Sequence, residues 1–296
     1  KAFMISGSGE VVCLDITDGK IVWKVSGKSF RHQPGMWGTS ECPLVIDGKK
    51  VIYTPSGNET TIVALDAETG KTIWKSRSLQ DEGGYASPIL ITYNGHRKIV
   101  ALTGNRIVGV NPENGQIDWT FDDLGKEGSQ YIVPTNTPLY KDGRIFTANG
   151  YGAGAFMLQL NEDASGVRLL WRNKGFDPHH GCFVLVDGII YGSSHGRNGL
   201  GKWMAVDWNT GRTRFEMNWG KGVGEGSVIA ADGMLYCSDE RRGMVGLVRV
   251  NPAKFDLVSF FRITRGEGAF WAHPVIHRGI LYVRHGNALM AYKIKG

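Results

Sequence analysis

Short runs of alternating apolar and polar residues recur along the chain between turn-forming residues, a pattern typical of strands rather than helices. One phrase appears six times. It consists of an apolar strand, an Asp or Asn, a short turn that usually contains Gly, and a second strand with an aromatic residue. The Asp or Asn stands at Asp15, Asp66, Asn111, Asn161, Asp207 and Asn251, so the spacing is 44 to 51 residues.

A second block also recurs six times along the chain and predicts a hairpin. Its central pair combines Asp or Asn, or once Arg, with Gly, the composition of a two-residue hairpin turn. The pairs are Asp47-Gly48, Asn94-Gly95, Asp142-Gly143, Asp187-Gly188, Asp232-Gly233 and Arg278-Gly279. Each full repeat therefore contains four strands.

Four antiparallel strands in a repeat of this length predict a blade of a β-propeller. We expect an all-β fold of four-stranded blades with about seven units, forming a single domain over residues 1–296. The first unit begins at its second strand and the last stops after its third, which gives 26 strands. This favours a chain that lacks an N-terminal portion, so that the seven units are most of an eight-bladed ring. Closure by two short blades is the alternative.

The segment ALDAETGKTIW (64–74) resembles the tryptophan-docking repeat of the pyrroloquinoline-quinone (PQQ) propeller superfamily, and 13–23 and 205–215 are near copies. One branch of that superfamily contains quinoprotein alcohol and sugar dehydrogenases, which hold PQQ and Ca²⁺ on the propeller axis. The other contains cofactor-free binding propellers. The resemblance implies the scaffold and a periplasmic or secreted bacterial protein, but it does not decide between the branches.

Cysteine usage departs from the dehydrogenase pattern. Cys13, Cys42, Cys182 and Cys237 form no adjacent pair, and the chain has no C-x-x-C-H haem attachment motif. We therefore expect a scaffold that binds a ligand or partner, with no firmly predicted cofactor. The alternative is a PQQ- and Ca²⁺-dependent dehydrogenase that oxidises an alcohol or sugar.

Charge and hydropathy exclude two classes of partner. The net charge is +6, but the basic residues are scattered singly or in pairs, which does not favour a nucleic-acid groove. No run of 18 apolar residues exists that could span a membrane. We expect a monomer whose partner is a small or sugar-like molecule, or another protein.

Residues that precede the innermost strand of each blade should surround one mouth of the propeller. The repeat register places Ser40, Tyr85, Thr135, His180, Glu225 and Trp271 there, with Trp37, Glu41, Asn136, His179 and His273 as neighbours. The predicted binding residues are Trp37, Ser40, Tyr85, Asn136, His180, Glu225, Trp271 and His273. Aromatic faces, imidazoles and a carboxylate suit a planar or sugar-like ligand. In the dehydrogenase alternative, the quinone stacks near Trp271 or Trp37, with Glu225 near the metal or acting as base.

Other interpretations of the same residues stay open. They can satisfy neighbouring backbone groups and hold water in the channel. His179, His180, His273 and Glu225 could ligate a metal if they converge, but we predict no metal site. Since His179 and His180 are adjacent in an extended segment, we expect their side chains to point in opposite directions. The motif GSSHG (192–196) matches a serine-hydrolase elbow without the helix which that motif requires, and is interpreted as a strand end.

Overall fold

A computed structural model describes residues 1–125, 133–195, 201–220 and 223–294. Within these ranges the chain forms 26 strands in seven antiparallel sheets, five with four strands and two with three. The fold is a β-propeller, as the repeat predicts. The incomplete sheets are the first and the last, also as predicted. A 3₁₀ helix spans Gly27–Phe30, and no helix in the described ranges has the length and apolar content to cross a membrane.

The strands follow one another in chain order within every sheet. Sheet 1 contains β1 (Ala2–Ile5), β2 (Val11–Leu14) and β3 (Ile21–Val25). Sheet 2 contains β4 (Leu44–Ile46), β5 (Lys50–Tyr53), β6 (Val63–Asp66) and β7 (Thr72–Lys75). Sheet 3 contains β8 (Ile89–Tyr93), β9 (His96–Leu102), β10 (Ile107–Val110) and β11 (Ile117–Phe121). Sheet 4 contains β12 (Leu139–Lys141), β13 (Arg144–Asn149), β14 (Gly154–Leu160) and β15 (Val167–Asn173).

The later sheets repeat this arrangement. Sheet 5 contains β16 (Phe183–Val186), β17 (Ile189–Ser193), β18 (Trp203–Asp207) and β19 (Thr213–Met217). Sheet 6 contains β20 (Gly226–Ala231), β21 (Met234–Asp239), β22 (Met244–Arg249) and β23 (Asp256–Arg262). Sheet 7 contains β24 (Val275–His277), β25 (Ile280–His285) and β26 (Ala288–Lys293).

The chain divides into two compact units, each described by itself below. In the described ranges, unit 1 comprises 1–125, 133–147 and 157–170, and unit 2 comprises 148–156 and 171–294. The expectation of a single domain stays a prediction.

All six predicted hairpin turns have both central residues at positive φ. Asp47 and Gly48, for example, have φ of 52° and 65°, and Arg278 and Gly279 have 48° and 76°. Two consecutive positive φ angles define the type I′ turn, whose twist matches that of the flanking strands. The turn chemistry in the sequence therefore fixes the register of the first two strands in sheets 2 to 7.

A tryptophan on the last strand of several sheets contacts the following repeat. In unit 1, Nε1 of Trp74 donates to the carbonyl oxygen of Pro112 at 3.1 Å. Gly115, at φ 78°, leaves room for the indole, since a Cβ there would lie 2.4 Å from a Trp74 ring carbon. Equivalent indole bonds join Trp23 to Ala67 and, in unit 2, Trp171 to Trp208. In each case the acceptor directly follows the Asp or Asn of the next repeat.

The cores lie between consecutive sheets. In unit 1, side chains of sheets 2 and 3 pack together around Ile52, Ile62, Ile99 and Val108. In unit 2, sheets 5 and 6 pack through a second cluster that includes Tyr191, Trp203, Leu235 and Val248. The second and third strands of sheets 2 to 5 are almost wholly buried, and they consist of nearly continuous apolar runs.

Candidate functional site

Unit 2 gathers imidazoles and carboxylates at the ends of several sheets. His179 and His180 lie between β15 and β16, His195 follows β17, Glu225 precedes β20, and Glu240 follows β21. We call these five residues the imidazole–carboxylate cluster. Trp271 and His273, before β24, and Tyr151, between β13 and β14, contact its histidines.

Glu225 and His195 form the buried pair of the cluster. The Nδ1 atom of His195 contacts Oε1 of Glu225. Only 3% of Glu225 is exposed, and its second oxygen, Oε2, has no hydrogen-bond partner within the described structure. The bond to Glu225 raises the pKa of His195 against the opposing effect of burial. A buried carboxylate with one free oxygen is costly and therefore marks a candidate binding position.

His180 and Glu240 form a second pair with an unusual order of protonation. His180 Nε2 lies 3.3 Å from Glu240 Oε2. Burial, aided by the neighbouring His195 and His273, lowers the pKa of His180 to about 4. Burial and the charge of Glu225 raise the pKa of Glu240 to about 7. Between these values the carboxyl group holds the proton and the imidazole is neutral, because burial penalises the charged form of each.

The ring of His179 contacts three other rings at tilted or edge-on angles. Its ring centroid lies 4.5 Å from that of His180, 4.8 Å from that of His195 and 4.7 Å from that of Tyr151. Burial lowers the pKa of His179 to about 3, so this imidazole is neutral at physiological pH. The expectation that His179 and His180 point in opposite directions is wrong. The chain turns at His180, ahead of Cys182 at φ 57°, instead of continuing as a strand.

Trp271 and His273 lie at the exposed side of the cluster. The Trp271 ring is 5.2 Å from that of His180, and the residue is 61% exposed. His273 Nε2 lies 2.8 Å from the His180 carbonyl oxygen. A hydrogen bond with the Cys182 thiol raises the pKa of His273. The structure thus brings together His180, Glu225, Trp271 and His273, four of the residues that the register singles out.

The other four predicted residues belong to unit 1. The backbone N–H of Trp37 donates to the Tyr85 hydroxyl at 3.3 Å, and the Ser40 hydroxyl donates to the Tyr85 carbonyl oxygen at 3.1 Å. Trp37 is 63% exposed. Asn136, in contrast, is fully buried, and its carbonyl oxygen accepts a bond from Thr147. Whether these residues share a ligand with the cluster in unit 2 stays a prediction.

Comparison with known families is consistent with the repeat. The model described as outer membrane protein assembly factor BamB matches residues 1–217. The chain belongs to this family of PQQ-like β-propellers. The crystal structure of BamB from Moraxella catarrhalis is similar to this structure with a TM-score of 0.71 at 20% identity, covering 98% of this chain and 80% of that one. At this identity the likeness shows the fold alone.

Two curated relatives of this PQQ-like propeller are an uncharacterized protein and a dehydrogenase subunit. An uncharacterized protein of Rickettsia conorii is 25% identical over 224 residues, which are 73% of this chain and 48% of that protein. Methanol dehydrogenase [cytochrome c] subunit 1 of Methylorubrum extorquens is 26% identical over 199 residues, 62% of this chain and 31% of that protein. The chain therefore spans half or less of these relatives.

Sequence reasoning missed His195, Glu240 and Tyr151. His195 was noticed only within GSSHG, whose last residue lies outside the described ranges; Ser193 ends β17 as expected of a strand end. No sequence signal singles them out, but the structure shows a shared position, because buried polar residues end or directly follow the second strand of each of six sheets. They are Thr54, Thr103, Asn149, Ser193, Asp239 and His285.

The cluster does not have the arrangement of a metal centre. Among the described residues, no group of three or more His, Cys, Asp or Glu side chains could hold a metal ion. All four cysteines are free. The described side chains of the cluster offer hydrogen bonding, and proton exchange between the Glu240 carboxyl group and neutral imidazoles.

The inverted order of protonation predicts a distinct titration. We expect Glu240 to titrate near pH 7, while His179 and His180 stay neutral above pH 5. Imidazole ¹⁵N and carboxyl ¹³C chemical shifts would follow both events. Glu240→Gln should remove the carboxyl titration and leave His180 neutral, since burial is the main cause of its lowered pKa. Titration of His180 at an ordinary value near 6.5 would contradict this account.

Proposed function

We propose that this protein is a binding propeller of the bacterial envelope, periplasmic or secreted, whose ligand or protein partner is held by the imidazole–carboxylate cluster. The observation that carries this proposal is the buried Glu225 carboxylate. One of its oxygens is bonded to His195, and the other has no hydrogen-bond partner among the residues that the structure describes. The exposed Trp271 ring beside His180 offers an apolar face at the same place.

The composition of the cluster suits binding better than quinone chemistry. PQQ carries three carboxylates, which favour cationic or hydrogen-donating surroundings. The cluster offers the Glu225 and Glu240 carboxyl groups and two imidazoles that stay neutral. Calcium requires six to eight oxygen ligands, and the described residues offer no group of three acidic or histidine side chains suited to a metal. The described residues of the imidazole–carboxylate cluster therefore do not fit PQQ with Ca²⁺.

The alternative is a PQQ-dependent dehydrogenase, and similarity to the methanol dehydrogenase subunit keeps it open to test. Incubation of purified protein with micromolar PQQ and Ca²⁺ should give neither bound quinone absorbance nor dye-linked oxidation of methanol, ethanol or glucose. Stoichiometric quinone uptake with alcohol oxidation would overturn the proposal.

Ligand binding itself is tested at Trp271. Its indole N–H signal in a ¹⁵N spectrum is assigned by comparison with Trp271→Phe. We expect at least one probe among small sugars, amines, carboxylates and short peptides to shift this signal, and Glu225→Gln to weaken the effect. The Trp37 indole signal, assigned through Trp37→Phe, serves as the control in unit 1. If no probe moves the Trp271 signal, the cluster is not a ligand site.

A further inference from the structure

The charge distribution of the cluster points to one chemical class of ligand. Resting on the proposed function, we infer that the imidazole–carboxylate cluster recognises a primary ammonium group, which Glu225 and Glu240 hold while Trp271 covers the attached carbon chain. The source of such a group is the side chain of a lysine in a protein partner or a free aliphatic amine.

The first argument is that buried carboxylate oxygens near the cluster lack hydrogen-bond donors. Within the described part of the chain, Glu225 Oε2 has no hydrogen-bond partner, although the residue is only 3% exposed. Asp239, which is fully buried and next to Glu240 in the chain, likewise has one oxygen, Oδ1, without a described partner, while its Oδ2 accepts the Arg242 backbone N–H. Carboxylate oxygens accept and never donate. The group that is missing from this site is therefore a hydrogen-bond donor.

The second argument is charge balance. Glu225 and Glu240 are close enough for the charge of one to raise the pKa of the other. His195 balances Glu225, but His180, at 3.3 Å from Glu240, resists protonation because it is buried. With both carboxyl groups ionised, two negative charges face one bonded cationic partner among the described residues, His195, and the weaker effect of the Arg241 charge. A cationic donor removes this imbalance, which a neutral donor does not.

The third argument separates an ammonium group from a metal ion. Three histidines and two glutamates could suggest a transition metal, but the described side chains are not arranged as its ligands. His195 Nδ1 and Glu225 Oε1 already satisfy one another. An ammonium group needs only acceptors around its three N–H bonds, and an aromatic face beside it adds attraction. The 61% exposed Trp271 provides that face.

Isothermal titration calorimetry with three probe molecules tests the inference by measuring their affinities for the protein. The probes are N-acetyl-lysine methylamide, 1,5-diaminopentane and the uncharged N-acetyl-norleucine methylamide. We expect at least one amine to bind about tenfold or more tightly than the norleucine compound, the value of one charge-assisted bond. Glu240→Gln should remove that preference. Glu216→Gln is the matched control, since Glu216 is exposed and paired with Lys202 outside the cluster.

The probes also separate the sources and the alternatives. Tighter binding of the lysine compound than of diaminopentane indicates a protein partner, and the reverse order indicates a free amine; either result supports the inference. If neither amine binds more tightly than the norleucine compound, the inference is overturned, whereas the proposed binding function stands if the probes bind with equal affinity. Zn²⁺ binding that depends on Glu240 without amine binding also overturns the inference. Thermal melting of Glu240→Gln and Glu216→Gln shows that both variants are folded, so a lost preference reports on recognition.

Discussion

Replacing Trp74 with Ala is expected to lower the free energy of unfolding by about 3–5 kcal/mol, the range for removing a large buried aromatic side chain. The Trp74 indole packs over Gly115 and donates its N–H to Pro112, so a single side chain joins sheets 2 and 3. Only 8% of the residue is exposed. Its loss leaves a cavity and an unsatisfied carbonyl oxygen at the same position. Urea denaturation followed by circular dichroism measures the effect.

Two further variants serve as comparisons for Trp74→Ala. Trp74→Phe keeps much of the packing and removes the hydrogen bond, so its cost should be about 1 kcal/mol. Trp37→Ala removes an indole that is 63% exposed, and a change within about 0.5 kcal/mol is expected. A Trp74→Ala cost no larger than that of Trp37→Ala would show that this contact does not stabilise the fold.

The strand pattern was predictable because the signals that set it are local. A pair such as Asp47-Gly48 specifies its hairpin turn without help from distant residues, and the structure has both at positive φ. Alternation of apolar residues then places the flanking strands. The same reasoning predicted that sheets 1 and 7 contain three strands each. Local chemistry repeated at a fixed spacing is therefore enough to specify this fold class.

The candidate site was only partly predictable, because its residues come from different sheets. Register identified His180, Glu225 and Trp271, which occupy equivalent positions before the first strands of sheets 5, 6 and 7. His195 and Glu240 follow second strands instead, and nothing local marks them as partners of Glu225 and His180. Pairing across sheets is a tertiary property that register within one repeat does not contain.

Burial links the fold to the chemistry of the site. In sheets 5 and 6 the second strand is largely apolar, and buried polar groups lie at its end and just beyond it. There, burial raises the pKa of Glu240 to about 7 and lowers the pKa of His180 to about 4. Between these pH values Glu240 is protonated and His180 is neutral. The same blade geometry that buries the core thus prepares neutral imidazoles next to carboxyl groups, a state that exposed side chains do not reach.

The raised pKa of Glu41, in unit 1, predicts how the free energy of unfolding changes with pH. The residue is 6% exposed, and its Oε1 accepts the Thr54 backbone N–H at 2.8 Å. Burial raises its pKa to about 7, from 4.5 in the unfolded chain. Between these values the folded state binds more protons, so stability falls as pH rises from about 4.5 and levels off above about 7. The Glu41 contribution is at most about 3 kcal/mol, at 1.36 kcal/mol per pKa unit.

Glu41→Gln isolates that contribution, because Gln keeps the acceptor for Thr54 and cannot ionise. We expect the variant to match the original protein at pH 5 and to exceed its free energy of unfolding at pH 8, measured by urea denaturation at both values. Glu41→Ala should be less stable than Glu41→Gln at both pH values, by about 1–3 kcal/mol, since it leaves the buried Thr54 N–H without its acceptor. Asp177 and Asp239, whose pKa values burial also raises, contribute equally to every protein compared. A Glu41→Gln advantage that is the same at pH 5 and pH 8 would mean that Glu41 is already ionised in the folded protein across this range.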